Sequence, residues 1–431
     1  MRSRRISQNM KLATNMKLLL SAIACNPFGG SETIYGWYVI SALAKEYSCF
    51  VITEEANRKD IEKAEAMGLV PDSMSFRYLG TDLPYHRNRL SARLQSWKRY
   101  IKFSKNVLGA ARAWHHEEGF DLVQHVTYTT WRVPSSLWQL GIPFIWGPIS
   151  GTEIFPPTCL GSLSPQARVF EMLRTIQTRL ALGSRTVRDC ARHAFRIPVP
   201  HHQAVGFLSK LRGTTAGVEL CHNFFFPDSR MVELRVSRPP LDSGKPLRAF
   251  GAGNLEGRKG VAIALEAIAL AKKQGVRVEY HVTSRGPELN HLKALAVKLG
   301  LTDQVILGER FEAMDFAAAL ATFDVCLLPS LRDGAGLSIM EAMLAGCVPI
   351  VADWCGPAEF VIEGCGFKVP VTAPREMASR ICHILCDLHH DRDRARTLGA
   401  AARERIHSAY NERQFMESMN AIYAAALAEP V

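Results

Sequence analysis

What the chain lacks narrows it first. No stretch of its 431 residues approaches the run of about 20 apolar side chains that a membrane-crossing helix requires, so any contact with a bilayer is made along its surface. The eleven cysteines are odd in number and contain no Cys-x-x-Cys pair. That usage speaks against a zinc ribbon or a disulfide framework and suits a reducing cytoplasm. Solenoid-length repeats and low-complexity tracts are missing too. So is a Gly-x-Gly-x-x-Gly turn after the first strand with an acid about twenty residues on, which disfavours a dinucleotide oxidoreductase. Negative charge is the scarcer sign: 41 Asp and Glu against 52 Lys and Arg leave +11. The surplus points to anionic partners, namely a membrane surface, a polyphosphate or nucleic acid.

What remains is globular material. With 47% hydrophobic and 22% charged residues, neither a disordered chain nor a polytopic membrane protein fits, and the length suffices for two cores. The start, Met1-Arg-Ser-Arg-Arg5 followed by Leu18 to Cys25, imitates a signal peptide. Its apolar run is short and Lys11 and Lys17 intervene, so the reading is a loose extension over 1–15 and a buried first strand from Met16 to Ala24.

Strands then alternate with helices, twice over. Lys17–Ala24, a turn at Asn26-Pro-Phe-Gly-Gly30, the helical stretch Glu32–Glu46 and the strand Cys49–Thr53 make a βαβ unit, with later strands at Asp121–His125 and Pro143–Trp146. The pattern lapses over 236–245, a Pro- and Ser-rich linker. It restarts with strands near Leu247–Gly253, Val276–Thr283, Gln304–Leu307, Asp324–Pro329 and Val348–Ala352, each but the last followed by a helical stretch. Short apolar strands without polar alternation imply burial on both faces of a parallel sheet. The expected architecture is α/β, two Rossmann-like doubly wound domains (16–235 and 246–395) facing a central cleft. Helices over 396–431 are expected to pack back on the first domain.

The densest chemical signal is Asp333-Gly-Ala-Gly-Leu-Ser-Ile-Met-Glu341, directly after an apolar strand. Gly334, Ala335, Gly336 and Leu337 would bring backbone N–H groups close to a ligand, a turn that suits phosphate or crowded hydroxyls. Two carboxylates eight residues apart flank it, good acceptors for vicinal sugar hydroxyls, although a tight turn with two solvated acids has the same spacing. This segment resembles the E-x7-E motif of retaining family 4 glycosyltransferases, which have the GT-B fold, with Asp333 in place of the usual Glu. Glu341-Ala-Met-Leu-Ala-Gly346 and Val348-Pro-Ile-Val351 resemble that family's helix and following strand.

The resemblance implies a nucleotide-diphosphate sugar as co-substrate with no cofactor and no metal. Its acceptor would be a saccharide or lipid-linked, in polysaccharide or glycolipid building. Asp333 would hold the transferred sugar and Glu341 the ribose. Gly253-Asn-Leu-Glu-Gly-Arg-Lys-Gly260 is similar to the family's diphosphate-clamping turn; Lys259 matches, Asn254 stands at the Arg position, and Arg258 is adjacent. Cations at a helix start oppose its dipole, which favours a bound anion there. Arg285-Gly-Pro-Glu288 and the glycine turn at Gly30 resemble further donor loops, and Gln124-His-Val-Thr127 puts His125 where the family faces the reacting sugar. A sugar-nucleotide epimerase of like fold and a non-catalytic, membrane-bound assembly protein remain as rivals. Asp391-Arg-Asp393 spells a metal-binding D-x-D but sits in an Arg-studded helical stretch, and Cys355 and Cys365 have no partners at ligand spacing.

Seven basic residues and no acid lie between Arg87 and Lys105. Leu90, Leu94, Trp97 and Ile101 make one apolar stripe there, so Arg93, Trp97, Lys98, Arg99 and Lys102 would suit an interfacial helix on an anionic membrane. A surface helix docked on the first core has the same pattern. The expected location is the cytoplasm, peripheral to the inner face of the membrane. Nucleic acid has no matching motif.

Overall fold

The computed structural model describes residues 16–80, 89–221, 224–238, 244–308 and 316–428, with backbone alone at 31 and 89–96. The expected extension over 1–15 and part of the linker lie outside the described residues. The first domain carries β1 (Lys17–Ser21), α1 (Ser31–Leu43), β2 (Ser48–Glu54), α2 (Arg58–Ala66), β3 (Met74–Leu79), α3 (Arg89–Glu118), β4 (Leu122–His125) and β5 (Phe144–Trp146). After these come α4 (Pro165–Leu182), α5 (Arg185–His193), β6 (Ile197–Val199), α6 (His202–Arg212), β7 (Val218–Leu220) and α7 (Asp228–Leu234). The second domain carries β8 (Leu247–Gly251), α8 (Val261–Lys273), β9 (Val278–Val282), α9 (Leu289–Lys298), β10 (Val305–Leu307), α10 (Phe316–Ala321) and β11 (Val325–Leu328). It continues through α11 (Leu337–Leu344), β12 (Val348–Ala352), α12 (Cys355–Phe360), β13 (Phe367–Val369), α13 (Pro374–His390) and α14 (Arg392–Ala409); α15 (Glu412–Ala428) ends the described chain.

Both sheets are parallel. The first runs β3-β2-β1-β4-β5, and the second β10-β9-β8-β11-β12-β13. A backbone bridge between Ile145 and Arg196 adds the β6–β7 pair beyond β5. Leu18, Leu19, Leu20, Val123 and Ile145 are fully buried, as are Ala249, Val325, Leu327 and Ile350 in the second sheet, because helices cover both faces. Each sheet reverses its strand order beside its first strand: β1 meets β4 in register Leu18↔Leu122, and β8 meets β11 in register Val325↔Ala249. Loops leaving the carboxyl ends there diverge and open a crevice. That crevice holds the site.

Three expectations shift, two of them domain boundaries. The first domain gives up its end early, because Phe226, Met231 and Leu234 are already built into the second domain's core, ahead of residue 236. At the other end a break at residue 396 would cut through α14, whose Ala395, Ala402 and Ile406 belong to that same core. Only α15 crosses back, inserting Phe415, Met419, Ile422 and Tyr423 against Leu18, Leu20, Val39 and Leu43. Its crossing is pinned by Tyr47 donating to Asn420 at 2.5 Å and by Tyr423 donating to Gln124. The third shift concerns α3, which docks through Tyr100, Phe103, Val107, Ala111 and Trp114 rather than through the Trp97–Ile101 stripe.

Candidate active site

The donor-side wall grows out of two neighbouring strands. β8 leads into Ala252–Gly260 and β11 into Pro329–Gly336, and the two loops are stitched together: Leu331 N–H donates to the Arg258 carbonyl at 2.8 Å, and Arg258 Nη1 to the Arg332 carbonyl at 2.9 Å. Gly260 is required here, since its φ is +70° and a Cβ would stand 2.1 Å from the Pro329 carbonyl oxygen. This close approach swings Lys259 under the second loop. Its Nζ lies 2.5 Å from Asp333 Oδ2, with Arg258 Nη1 3.7 Å from Oδ1. Burial alone would raise the Asp333 pKa, but Lys259 and Arg258 outweigh it and hold the carboxyl below its usual range. Asp333 is therefore an ionised acceptor locked between two cations.

Gly336, at φ +84°, caps α11, and the start of the helix from Gly336 to Ser338 lines the crevice. Glu341 follows within the helix and accepts from Arg230 Nη2 of α7 at 2.8 Å. Burial outweighs that partner and pushes the Glu341 pKa up. Arg332 also lines the crevice, and its fork closes a bidentate pair with Glu171 of α4 at 2.8 and 2.9 Å.

The facing wall comes from the first domain. A cleft of about 690 Å³ is lined there by Glu32, Tyr35, Thr127, Thr129, Ser150 and Glu153, and opposite by Asn254, Arg258, Lys259, Asp333, Gly334, Ala335, Gly336, Leu337 and Glu341. The walls nearly touch at one point, where a Cβ on Gly334 would lie 3.0 Å from Glu153 Oε1. Glu153 is buried, and its Oε1 accepts from His201 Nε2 at 3.1 Å and from the Gly151 amide at 3.2 Å. His201 caps α6 by accepting the Ala204 amide on Nδ1. That bond leaves the proton on Nε2, directed at Glu153. Burial opposes ionisation of Glu153, but the His201 contact and its other partners prevail, so its pKa is lowered. Glu32 is the contrasting acid: burial raises its pKa against the bond it accepts from the Tyr128 amide.

Asn254, Arg258, Lys259, Asp333, Gly334–Leu337 and Glu341 thus converge on one cleft. Three other expected residues stand away from it. His125 is buried beneath the cleft floor, its Nε2 3.3 Å from the Tyr100 hydroxyl and 3.4 Å from the Tyr128 carbonyl. Desolvation lowers its pKa to about 4, so it stays a neutral core histidine. Arg285 turns to the Gly308 carbonyl at 3.3 Å, and Gly30 is exposed ahead of α1, which sends Glu32 and Tyr35 to the wall instead.

Along α3, Trp97 and Lys98 are exposed, Lys102 is half-buried and Arg99 is drawn to Glu54 at 2.7 Å. The Arg93 side chain lies outside the described residues. Asp391 caps α14 and Asp393 pairs with Arg396, remote from the cleft. All eleven cysteines are buried thiols, and among the described residues no three His, Cys, Asp or Glu side chains group as metal ligands would. Sequence reasoning missed Glu153 and His201, 48 positions apart, because no spacing rule links residues joined only by the sheet.

Comparison with known proteins agrees with this fold. Residues 248–387 match the family described as Glycosyl transferases group 1. A Salmonella typhimurium protein named as a colanic acid biosynthesis glycosyltransferase, WcaL, is 29% identical over 177 residues, 39% of this chain and 43% of the relative. The matched stretch thus spans less than half the length of that relative. Sucrose-phosphate synthase from Thermosynechococcus elongatus superposes with a TM-score of 0.62 at 19% identity, covering 96% of this chain and 99% of that one. Anabaena HepE, solved in complex with UDP and glucose, gives 0.59 at 17% identity over 95% and 100%. At such identities the structural likeness establishes the fold alone. The chain has the GT-B fold.

Proposed function

We propose, for a chain that carries a Glycosyl transferases group 1 domain within a GT-B fold, that it transfers a hexose-type sugar from a nucleotide-diphosphate donor to an acceptor hydroxyl with retention at the anomeric carbon. The acceptor is a saccharide or a lipid-linked saccharide, and the product contributes to cell-surface polysaccharide or glycolipid, as the WcaL likeness suggests. The observation that carries this reading is the Lys259–Asp333–Arg258 cluster facing the first turn of α11.

The chemistry follows from placement. Cleaving the bond to a nucleoside diphosphate builds negative charge on the leaving oxygen, and cations with preorganised amides in a partly dry cleft stabilise it. Lys259, Arg258 and the amides of Gly334–Leu337 meet that charge, without cofactor or metal. Asp333, ionised and held in place, accepts from the sugar hydroxyls, and Glu341 from the ribose. Glu153, Thr129 and Ser150 face them across the cleft and orient the acceptor. Closure of the two walls excludes water, which would otherwise take the sugar. The location in this reading is the cytoplasm, at the inner face of the membrane.

The test incubates the full chain with UDP-, GDP- and ADP-sugars and follows nucleotide release with and without a membrane lipid extract. Release that requires the extract supports transfer. Epimerised donor without extract would make the protein an epimerase, and binding without turnover a non-catalytic assembly protein.

A further inference from the structure

One helix is built inside out. In α4 the buried side chains are Glu171, which pairs with Arg332, and Thr178, which lies 3.4 Å from Arg132 Nε. Its aliphatic residues turn outward: Val169, Met172, Leu173, Ile176 and Leu180 are 56%, 52%, 60%, 51% and 74% exposed. Their spacing, with steps of three, one, three and four, places them on one helical face. An amphipathic helix of a water-soluble domain normally turns this face to the core. Here the core-facing side is committed to the Glu171–Arg332 ion pair and the Thr178–Arg132 hydrogen bond, so the apolar stripe has nowhere to go but out. A contiguous exposed stripe of this kind marks an interaction surface.

The surroundings of the stripe choose its occupant. Arg168 and Arg179 flank it exposed on α4, and Arg185 and Arg192 stand exposed on the adjoining α5. Across residues 165–193 the acids are Glu171, spent on Arg332, and Asp189. A second copy docking through the same face would set this cationic rim against itself. An anionic bilayer instead offers hydrocarbon to the stripe and phosphate to the rim. We infer that α4, with the arginines of α5, is the surface by which the protein docks on anionic lipid, in place of the α3 stripe that the sequence suggested. The inference stands apart from the proposed reaction and needs no sugar donor to test.

Sedimentation of the full chain with vesicles of phosphatidylglycerol and phosphatidylcholine in equal parts reads it directly. Wild-type protein is expected to co-sediment, less so with pure phosphatidylcholine or at raised salt. Leu173→Glu/Ile176→Glu/Leu180→Glu should lower the bound fraction at least about tenfold. Trp97→Glu/Lys98→Glu on α3 should leave it unchanged. If the triple variant does not fold, judged by its circular dichroism, Arg168→Glu/Arg179→Glu takes its place and should lose the salt-sensitive part. Three results would overturn the inference: absence of wild-type binding, binding unaffected by the α4 variants, or a wild-type dimer that these variants convert to monomer.

Discussion

Replacing Lys259 by Ala separates what this residue does for the fold from what it does for the reaction. Its ammonium is nearly buried and sits 2.5 Å from Asp333 Oδ2, so its loss strips the carboxylate of its nearest counter-charge. Removing one partner of a buried pair costs about 3–5 kcal/mol when the survivor is left alone. Asp333 is not left alone, because Arg258 remains 3.7 Å from its other oxygen. The expected loss is therefore about 2 kcal/mol, a drop of roughly 4–8 °C in the unfolding midpoint of a domain this size. The effect on transfer is larger. Deleting one preorganised donor to developing negative charge costs about 2.7–4 kcal/mol, or 10²–10³ in kcat. Nucleotide-release kinetics measured well below the variant's unfolding temperature give the second number, and calorimetry the first. The double variant Lys259→Ala/Asp333→Asn should recover most of the stability but none of the rate. A Lys259→Ala protein with a lowered midpoint and unchanged kcat would refute the assignment, since the lysine would then be a structural counter-ion only.

Other expectations follow from the same contacts. Because Asp333 has a lowered pKa in the folded chain, its pairing stabilises fully above the unfolded value near 3.9 and is lost as pH falls through the lower folded value. Acid-unfolding curves of wild type and Asp333→Asn should accordingly differ most above about pH 4 and converge as the pH falls below it; parallel curves throughout would contradict the pairing. Gly260→Ala forces a Cβ to within 2.1 Å of a carbonyl oxygen at positive φ, so at least about 2 kcal/mol of stability should go, together with donor binding; a silent substitution in calorimetry would show that the loops are not packed as described. Glu153→Leu leaves His201 Nε2–H and the Gly151 amide without their shared acceptor, which should cost about 1–3 kcal/mol by denaturant titration, and a neutral result would argue against the buried hydrogen bonds.

Legibility in the sequence followed the range of the interaction. The apolar runs at Leu18–Leu20 and Val325–Leu328 announced buried parallel strands because burial on both faces leaves a mark within a few residues. Asp333 to Glu341 was legible for the same reason, as a turn and the helix that carries it. By contrast, no strand or helix was assigned between Gly151 and Arg235, where α4 to α7 lie. The segment over 152–164 carries no regular pattern, and α4 presents its apolar face to solvent. His125 was misplaced because a histidine after a strand has the same local sequence whether its ring enters a cleft or the core beneath it.

Side-chain periodicity and turn chemistry are local, and they alone were enough for two doubly wound sheets, a glycine turn flanked by two acids, and a basic turn at Arg258-Lys259. Which loops meet is a property of strand order. Lys259 and Asp333 are 74 residues apart and touch because β8 and β11 are neighbours at the point where the sheet reverses. Direction is likewise a property of the assembled molecule. The stripe on α4 has the period of any amphipathic helix, and it faces outward because Glu171 finds Arg332, 161 residues away, on its other side.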